Sequence, residues 1–346
     1  MSEPLGRSQV VPYLRGLAGA GWSIEIVAFE PADASEAQIA STQRELSDNG
    51  IAYHWSRRSP SHALATKIDE SLRAFGSLLA SALKRRPRIV HARSYLPAMV
   101  ARAVRLVTPG SRFIFDCRGL LGDEYVDFGH WQRSSMRYRI LKAAERHLFA
   151  HADAVVALTE RLRRWLRDEA RLVGDRTPVE VIPCCVDTGR FVIDDEARRR
   201  TRATLNAGDR FVLAYAGNLG AWYCERQMAE LFAALRRRRP ALLAVLSRAP
   251  TDRLRATLRE LGIADGDVAI RSVAPEEMPA MLAGADAAVS FAEAKFSKIA
   301  SSPVKVAEYL AVGLPVVLNR GVGDQDALLA EHDDVLVDAG AMSGGE

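Results

Sequence analysis

The stretch SSPVKVAEYLAVGLPVVL, residues 301–318, decides how the rest of the chain is read. Ser302 suits a helix N-cap and Pro303 the first helical turn, where a missing N–H costs nothing, so a helix is predicted to begin here and run to Val312. Gly313 ends it, and the apolar run led by Pro315 reads as a buried parallel strand. The first turn offers backbone N–H groups and the positive end of the helix dipole. Lys305 adds a full charge, and the combination suits a phosphate or diphosphate. Glu308 follows on the same face, where a carboxylate can accept hydrogen bonds from vicinal hydroxyls such as those of a ribose. An isolated Lys-x-x-Glu would more simply be an ion pair within the helix. Inside this longer pattern the ligand reading is preferred.

Outward from this stretch, strands and helices alternate. Upstream, an apolar-striped helix starting from Ser8 leads into a strand at 23–29, a helix at 34–48 and a strand at 51–55. Leu64, Ile68, Leu72, Phe75, Leu79 and Leu83 mark a long amphipathic helix. A strand at 88–92 carries His91 and runs into Arg93. It is followed by a helix at 97–107, a strand at 113–116 and a loop at 118–130 holding Arg118, Asp123, Glu124 and Asp127. Helices at 131–150 and 160–170 then flank a strand at 154–158, before a strand at 179–182. Pro183, a charged run beginning at Asp194, and Gly208 interrupt the pattern at 183–209, which places a junction between a domain at 1–190 and one at 191–346. In the second domain, strands at 211–216, 241–247, 268–273, 287–291, 315–318 and 335–337 alternate with helices. The expectation is an α/β protein of two doubly wound Rossmann-like halves facing a central cleft, with ligands at the carboxyl ends of the strands.

The 346 residues leave room for two such domains, and 48% hydrophobic with 26% charged residues is a globular balance. A net charge of +4 permits anionic substrates or a membrane surface and demands neither; no nucleic-acid partner is expected. Cys117, Cys184, Cys185 and Cys224 show no metal or redox spacing and read as reduced thiols of a cytoplasmic protein. With no apolar run of about 18 residues and no signal peptide, neither a membrane span nor export is expected.

Several segments together carry a family likeness: 301–318, FSKIA before it (296–300), the VIPxxVDxxRF pattern (181–191), the turn YAGNLGAWY (215–223), the opening EPLGRSQV (3–10) and HARS (91–94). They resemble the retaining nucleotide-sugar glycosyltransferases of family GT4, built on the two-domain GT-B fold, and the likeness covers nearly the whole chain. It implies a transferase that moves a hexose-type sugar from a nucleotide-diphosphate donor to a hydroxyl acceptor, in polysaccharide or glycoconjugate biosynthesis. The acceptor would be a glycan, a lipid-linked molecule or a small molecule. It also implies that the second domain holds the donor and that neither a metal nor a cofactor is needed. By position, Glu308 would bind the ribose and Lys305 would face the diphosphate beside Ser301 and Ser302. Gly217, Asn218, Gly220 and Tyr223 would lie along the phosphates, and Gly6 and Arg7 would close over the leaving group. Arg93, with His91 as the alternative, would contact the transferred sugar; Arg118, directly after a strand end facing the cleft, is a further catalytic candidate that could equally pair with Asp116.

The chain departs from the family's pattern at several points. Ala300 stands where a Glu commonly precedes the ribose-binding Glu. Asn218 and Tyr223 replace Arg and Lys, leaving Lys305, Lys298 and Arg7 to supply positive charge, and Arg93 stands where a second His is common. The family also begins with a strand before the Pro-Leu-Gly-Arg loop and ends with helices beyond the strand at 335–337; the sequence has no place for either.

Other features are expected to be ordinary. The acidic residues at 123–127 read as a solvated loop in preference to an acid or base facing the acceptor. Arg161, Arg163, Arg164 and Arg167, interleaved with Leu162, Trp165 and Leu166, would suit a peripheral membrane contact, but a solvated helix face is preferred. His54, His62, His147, His151 and His332 show no ligand spacing. Two other readings stay open: a nucleotide-sugar 2-epimerase of GT-B fold, and a truncated non-catalytic homologue.

Overall fold

The computed structural model describes residues 1–59, 64–192, 195–220, 222–332 and 335–338. His62, Asp194 and Ala221, together with the side chains of Leu64 and Ile68, lie outside the described residues.

The elements are α1 (Pro4–Gln9), α2 (Val11–Gly19), β1 (Glu25–Glu30), α3 (Glu36–Asp48), β2 (Ala52–Arg57), α4 (Leu64–Arg85), β3 (Ile89–Arg93), α5 (Tyr95–Val107), β4 (Arg112–Asp116), α6 (Leu121–Asp127), α7 (Met136–His151), β5 (Ala154–Ala157), α8 (Glu160–Arg164) and β6 (Val179–Val181). They continue with α9 (Asp195–Thr204), β7 (Phe211–Ala216), α10 (Glu225–Arg238), β8 (Ala241–Leu246), α11 (Asp252–Glu260), β9 (Val268–Arg271), α12 (Met278–Ala283), β10 (Ala287–Ser290), α13 (Val304–Ala311), β11 (Val316–Asn319), α14 (Gln325–Leu328) and β12 (Leu336–Val337).

The chain divides into two compact units. Unit 1 comprises Met1–Arg118, Arg133–Ala157 and Arg163–Ile182. Unit 2 comprises Gly119–Gln132, Leu158–Leu162 and Pro183–Glu346. The division falls after Ile182 rather than at 190, and two short segments from the first half of the sequence are counted with unit 2.

Unit 2 holds one parallel sheet in the order β12-β11-β10-β7-β8-β9. The chain starts in the middle at β7, winds outward to β9, then crosses back to β10. This is the doubly wound arrangement, whose switch point lies between β7 and β10. The run Phe211–Ala216 has apolar side chains facing both ways. Val212, Ala214 and Ala216 face one core layer with Val306 and Tyr309 of α13 and with Val312 just beyond it. Leu213 and Tyr215 face the other layer, with Met228 and Phe232 of α10. Each large apolar side chain buried in this way stabilises the unit by roughly 1.5–3 kcal/mol.

Unit 1 holds two separate parallel sheets, β1-β2 and β3-β4-β5-β6, where a single doubly wound sheet is predicted. Among the described residues no strand joins β1 to β3. The segment ahead of Ser8, where the first helix is predicted to start, is also different. Residues Pro4–Gln9 are already helical, and Val10, at φ −122 and ψ −57, breaks that helix from α2. Ser8 therefore lies inside α1 and caps nothing. At Gly6 a side chain would meet the Met1 carbonyl oxygen at 2.6 Å.

Two further segments differ from expectation. Residues read as a junction at 183–209 include α9, whose Thr201 hydroxyl donates to the Ala280 carbonyl at 2.8 Å and packs α9 on α12. The predicted loop at 118–130 contains α6, described below.

Candidate functional site

The predicted helix-strand pair is present, and α13 ends at Gly313, whose φ of +68 is the left-handed conformation glycine adopts at a helix C-terminus. The N-cap differs. Pro303 occupies it, and the Ser302 hydroxyl instead accepts the Cys184 N–H at 3.1 Å. This ties the VIPCC segment to the mouth of α13. Tyr309, fully buried, fixes the helix across the switch point. Its hydroxyl accepts the Ala216 N–H at the end of β7 at 2.7 Å and donates to the Val289 carbonyl of β10 at 3.5 Å. The first turn of α13 is thereby held at the carboxyl ends of the two central strands, where a parallel sheet binds its ligand.

Lys305 and Glu308 do not pair with each other among the described residues. Lys305 is 8% exposed, and its Nζ donates to the Tyr215 hydroxyl at 3.0 Å. It lies 4.1 Å from the Tyr215 ring centroid and 4.5 Å from that of Tyr223, two rings set edge to face at 78°. Burial lowers its pKa from 10.5 to about 7, with the Glu308 charge opposing. The aromatic faces favour the cationic form, though less than water would. Glu308 is half-buried and makes no hydrogen bond or ion pair with the described residues. Burial pushes its pKa up, while Lys305 and Arg190 pull it down. A carboxylate held this way has acceptor capacity left for a ligand.

Gly217 and Gly220 shape the turn after β7 with φ of +113 and +126. At Gly217 a side chain would also stand 3.1 Å from Lys305 Cε and Nζ, so the close approach of turn and lysine requires glycine. The Gly220 N–H donates to Glu225 Oε1 at 2.5 Å, and the Asn218 carbonyl accepts the Tyr215 hydroxyl, leaving the Asn218 side chain exposed. Tyr223 lines the lysine cage, and its own pKa is raised by burial and then by Glu124. Glu225, Tyr215 and Arg190 are parts of this neighbourhood that sequence reasoning did not single out. A Glu opening a helix just after a glycine turn was the available signal for Glu225.

Lys298 is placed differently from expectation. Its Nζ pairs with Glu124 Oε1 at 2.9 Å and sits 4.4 Å from the Trp222 ring and 5.1 Å from Phe128, two stacked rings. Its charge is spent on α6. The Ser297 N–H adds a bond to Asp127 Oδ2 at 2.8 Å, and Asp123 is 1% exposed. The acidic residues at 123–127 are therefore bonded or buried, not a solvated loop. Ser301 stands between a 3-10 turn at Phe296–Ala300, which carries Lys298, and α13, with its carbonyl against Gly323.

In unit 1, Asp116 at the end of β4 gathers three of the predicted residues. It lies 3.4 Å from His91 Nε2, 3.7 Å from Arg93 and 3.4 Å from Arg118. Burial would raise its pKa, but the His91 hydrogen bond and the neighbouring guanidinium groups of Arg118 and Arg93 hold it below the usual range. Arg93 and Asp116 are register partners in the sheet, and Ser94 turns the chain into α5 at φ +72, a strained value for a non-glycine residue. Gly6 and Arg7 lie in α1, where the Arg7 guanidinium reaches Glu45 at 3.2 Å and Thr42 Oγ1 at 3.5 Å. Leu162 and Leu166 are fully buried, and Arg167 holds the Thr177 carbonyl at 2.8 Å. The two leucines of the 160–170 segment are therefore not presented to a membrane, while Trp165 is half-buried. Among the described residues no group of His, Cys, Asp and Glu is arranged to hold a metal ion.

Residues 7–185 match the glycosyl transferase 4-like domain. The chain belongs to this family. The GDP-mannose-dependent α-(1-6)-phosphatidylinositol monomannoside mannosyltransferase of Mycolicibacterium smegmatis is 28% identical over 204 residues. That match covers 58% of the glycosyl transferase 4-like chain and 52% of the relative, so it spans about half of the curated relative's length. Among solved structures, sucrose-phosphate synthase from Thermosynechococcus elongatus superposes with a TM-score of 0.66 at 16% identity, covering 92% of this chain and 87% of that one. Anabaena Alr3699/HepE in complex with UDP-glucose gives a TM-score of 0.64 at 13% identity, covering 92% and 89%. These likenesses give the family member its fold, the GT-B arrangement of parallel α/β units.

Proposed function

We propose that this protein transfers a sugar from a nucleotide-diphosphate donor to a hydroxyl acceptor, with retention at the anomeric carbon, on the cytoplasmic side of a membrane. The observation that carries the reading is Glu308. It is a half-buried carboxylate with no hydrogen bond or ion pair among the described residues, one turn from a caged lysine at the switch point of a doubly wound sheet. In this reading Glu308 accepts hydrogen bonds from the two ribose hydroxyls. The N–H groups of the first turn of α13 face the diphosphate, flanked by Ser301, Ser302, Asn218 and Tyr223. The acceptor hydroxyl's proton passes to the departing diphosphate as the new glycosidic bond forms, and the cationic form of Lys305, favoured by the bound anion, together with these fixed groups stabilises the negative charge that develops there.

Arg93, with His91 and Arg118 held round Asp116, serves the sugar and the acceptor. Lys298 is left as a structural cation, and Arg7 would have to leave Glu45 to reach a donor. The relative's printed substrates and the solved complex with UDP-glucose support a nucleotide-sugar donor and a glycosylated or lipid-linked acceptor.

The test is incubation of the purified chain with UDP-glucose, GDP-mannose and related donors while nucleoside diphosphate release is followed. Release that stops in Glu308→Gln supports the reading. Formation of a new sugar nucleotide without release would replace it by epimerisation, and failure to bind any nucleotide would overturn it.

A further inference from the structure

Unit 1 carries an outward helix face that the donor reading leaves unused. On its inner side α7 buries Glu145, Leu148 and Phe149, and Glu145, its only acidic residue, bonds the Tyr95 hydroxyl at 2.6 Å and pairs with Lys142. On the opposite side Met136, Ile140, Ala143 and His147 follow one another at steps of four, three and four, the spacing of one helical stripe. Met136 and Ile140 are 65% and 62% exposed, unusual for large apolar side chains beside a full core layer. Arg137 borders the stripe on one flank, and Arg139 and Arg146 on the other. All three are exposed, and none forms an ion pair among the described residues. Helix α5, packed against α7, adds exposed Leu96, Met99 and Leu106.

We propose that this face of α7 docks on an anionic lipid bilayer, with Met136 and Ile140 entering the boundary of the acyl chains and the arginines among the headgroup phosphates. Charge complementarity selects this occupant. Guanidinium groups on both flanks of an apolar centre match a surface that is anionic everywhere and oily one layer down. A second copy related by a two-fold axis would set these arginines against their own kind. Nucleic acid would satisfy the arginines but leave the apolar stripe in water. No helix among the described residues is long and apolar enough to cross a membrane, so the contact is peripheral. The proposal stands apart from the donor site, and its test does not require turnover.

The full chain is sedimented with vesicles of phosphatidylcholine mixed with phosphatidylglycerol and, separately, of phosphatidylcholine alone. Wild type should bind the mixed vesicles, leave the neutral ones in suspension, and dissociate as salt is raised. The triple variant R137Q/R139Q/R146Q should lower the partition coefficient about 100-fold, and M136S/I140S about tenfold or more. Both alter exposed side chains, so their thermal unfolding should match wild type; if the serine variant fails to fold, the arginine variant decides alone. Equal binding to neutral vesicles, no binding to either kind, or unchanged partition of the arginine variant would overturn the proposal. So would a dimer in sedimentation velocity that M136S/I140S dissolves.

Discussion

Replacing Lys305 by Met tests the charge state on which the proposed donor site depends. A base whose folded pKa is depressed from 10.5 to about 7 binds more protons in the unfolded chain throughout that interval. Its contribution is therefore a penalty that is full below about pH 7 and relieved as pH rises toward 10.5. The whole shift corresponds to about 3–5 kcal/mol. Methionine keeps the unbranched shape between Tyr215 and Tyr223 and cannot titrate. Urea unfolding of wild type and Lys305→Met at pH 7, 8 and 9 gives the difference in stability, in which the other titrating groups cancel. That difference should move in favour of wild type by about 2 kcal/mol over the two pH units. A flat difference, or one moving toward the variant, would mean that Lys305 is charged and paired in the folded protein, and the reasoning would fail.

Other perturbations probe the same regions. Glu308→Gln should weaken UDP or GDP binding about 10- to 100-fold by calorimetry, the worth of a charge-assisted hydrogen bond, and leave the melting midpoint unchanged or slightly higher. A large loss of stability instead would assign Glu308 a structural role. Gly217→Ala combines a positive φ with a contact at 3.1 Å to Lys305, and should cost about 1–3 kcal/mol in denaturant unfolding while weakening nucleotide binding. Asp116→Asn leaves Arg93, Arg118 and His91 without their shared carboxylate, and should cost about 1–3 kcal/mol at neutral pH. Because the Asp116 pKa is depressed below 3.8, its stabilisation is present above that value and lost as pH falls through the lower one. The variant's acid unfolding limb should lack that component.

Local chemistry was readable along the chain wherever neighbours in sequence decide it. Gly313 stops α13 because only its own backbone has to adopt the left-handed conformation, and the apolar runs of β7 and β8 declare burial on both faces. The order of the strands, and hence the switch point, followed from strand-helix alternation only as a class of fold. What escaped were partners far apart in the chain. Ser302 had the right chemistry for a cap, but the Cys184 N–H, over a hundred residues away, claimed its hydroxyl. Lys298 reads in sequence as a cation for the diphosphate and Glu124 as part of a solvated loop, yet the two pair, and Trp222 and Phe128 give their ion pair a sheltered platform. Tyr223, read as a replacement for a lost cation, turns out to shelter the remaining one.

The segments Gly119–Gln132 and Leu158–Leu162 make unit 2 discontinuous along the chain. A fragment beginning at Pro183 would lose Glu124 opposite Lys298, the Asp127 acceptor of the Ser297 N–H, and the Thr159 hydroxyl that donates to Ile299. Asp324 would lose the Glu160 and Arg161 amides that it caps. These orphaned groups border the turn before α13, so unit 2 cannot be excised by a single cut and still keep that region in order. Gene fusions, splits and domain exchanges within this family member would have to carry both earlier segments along.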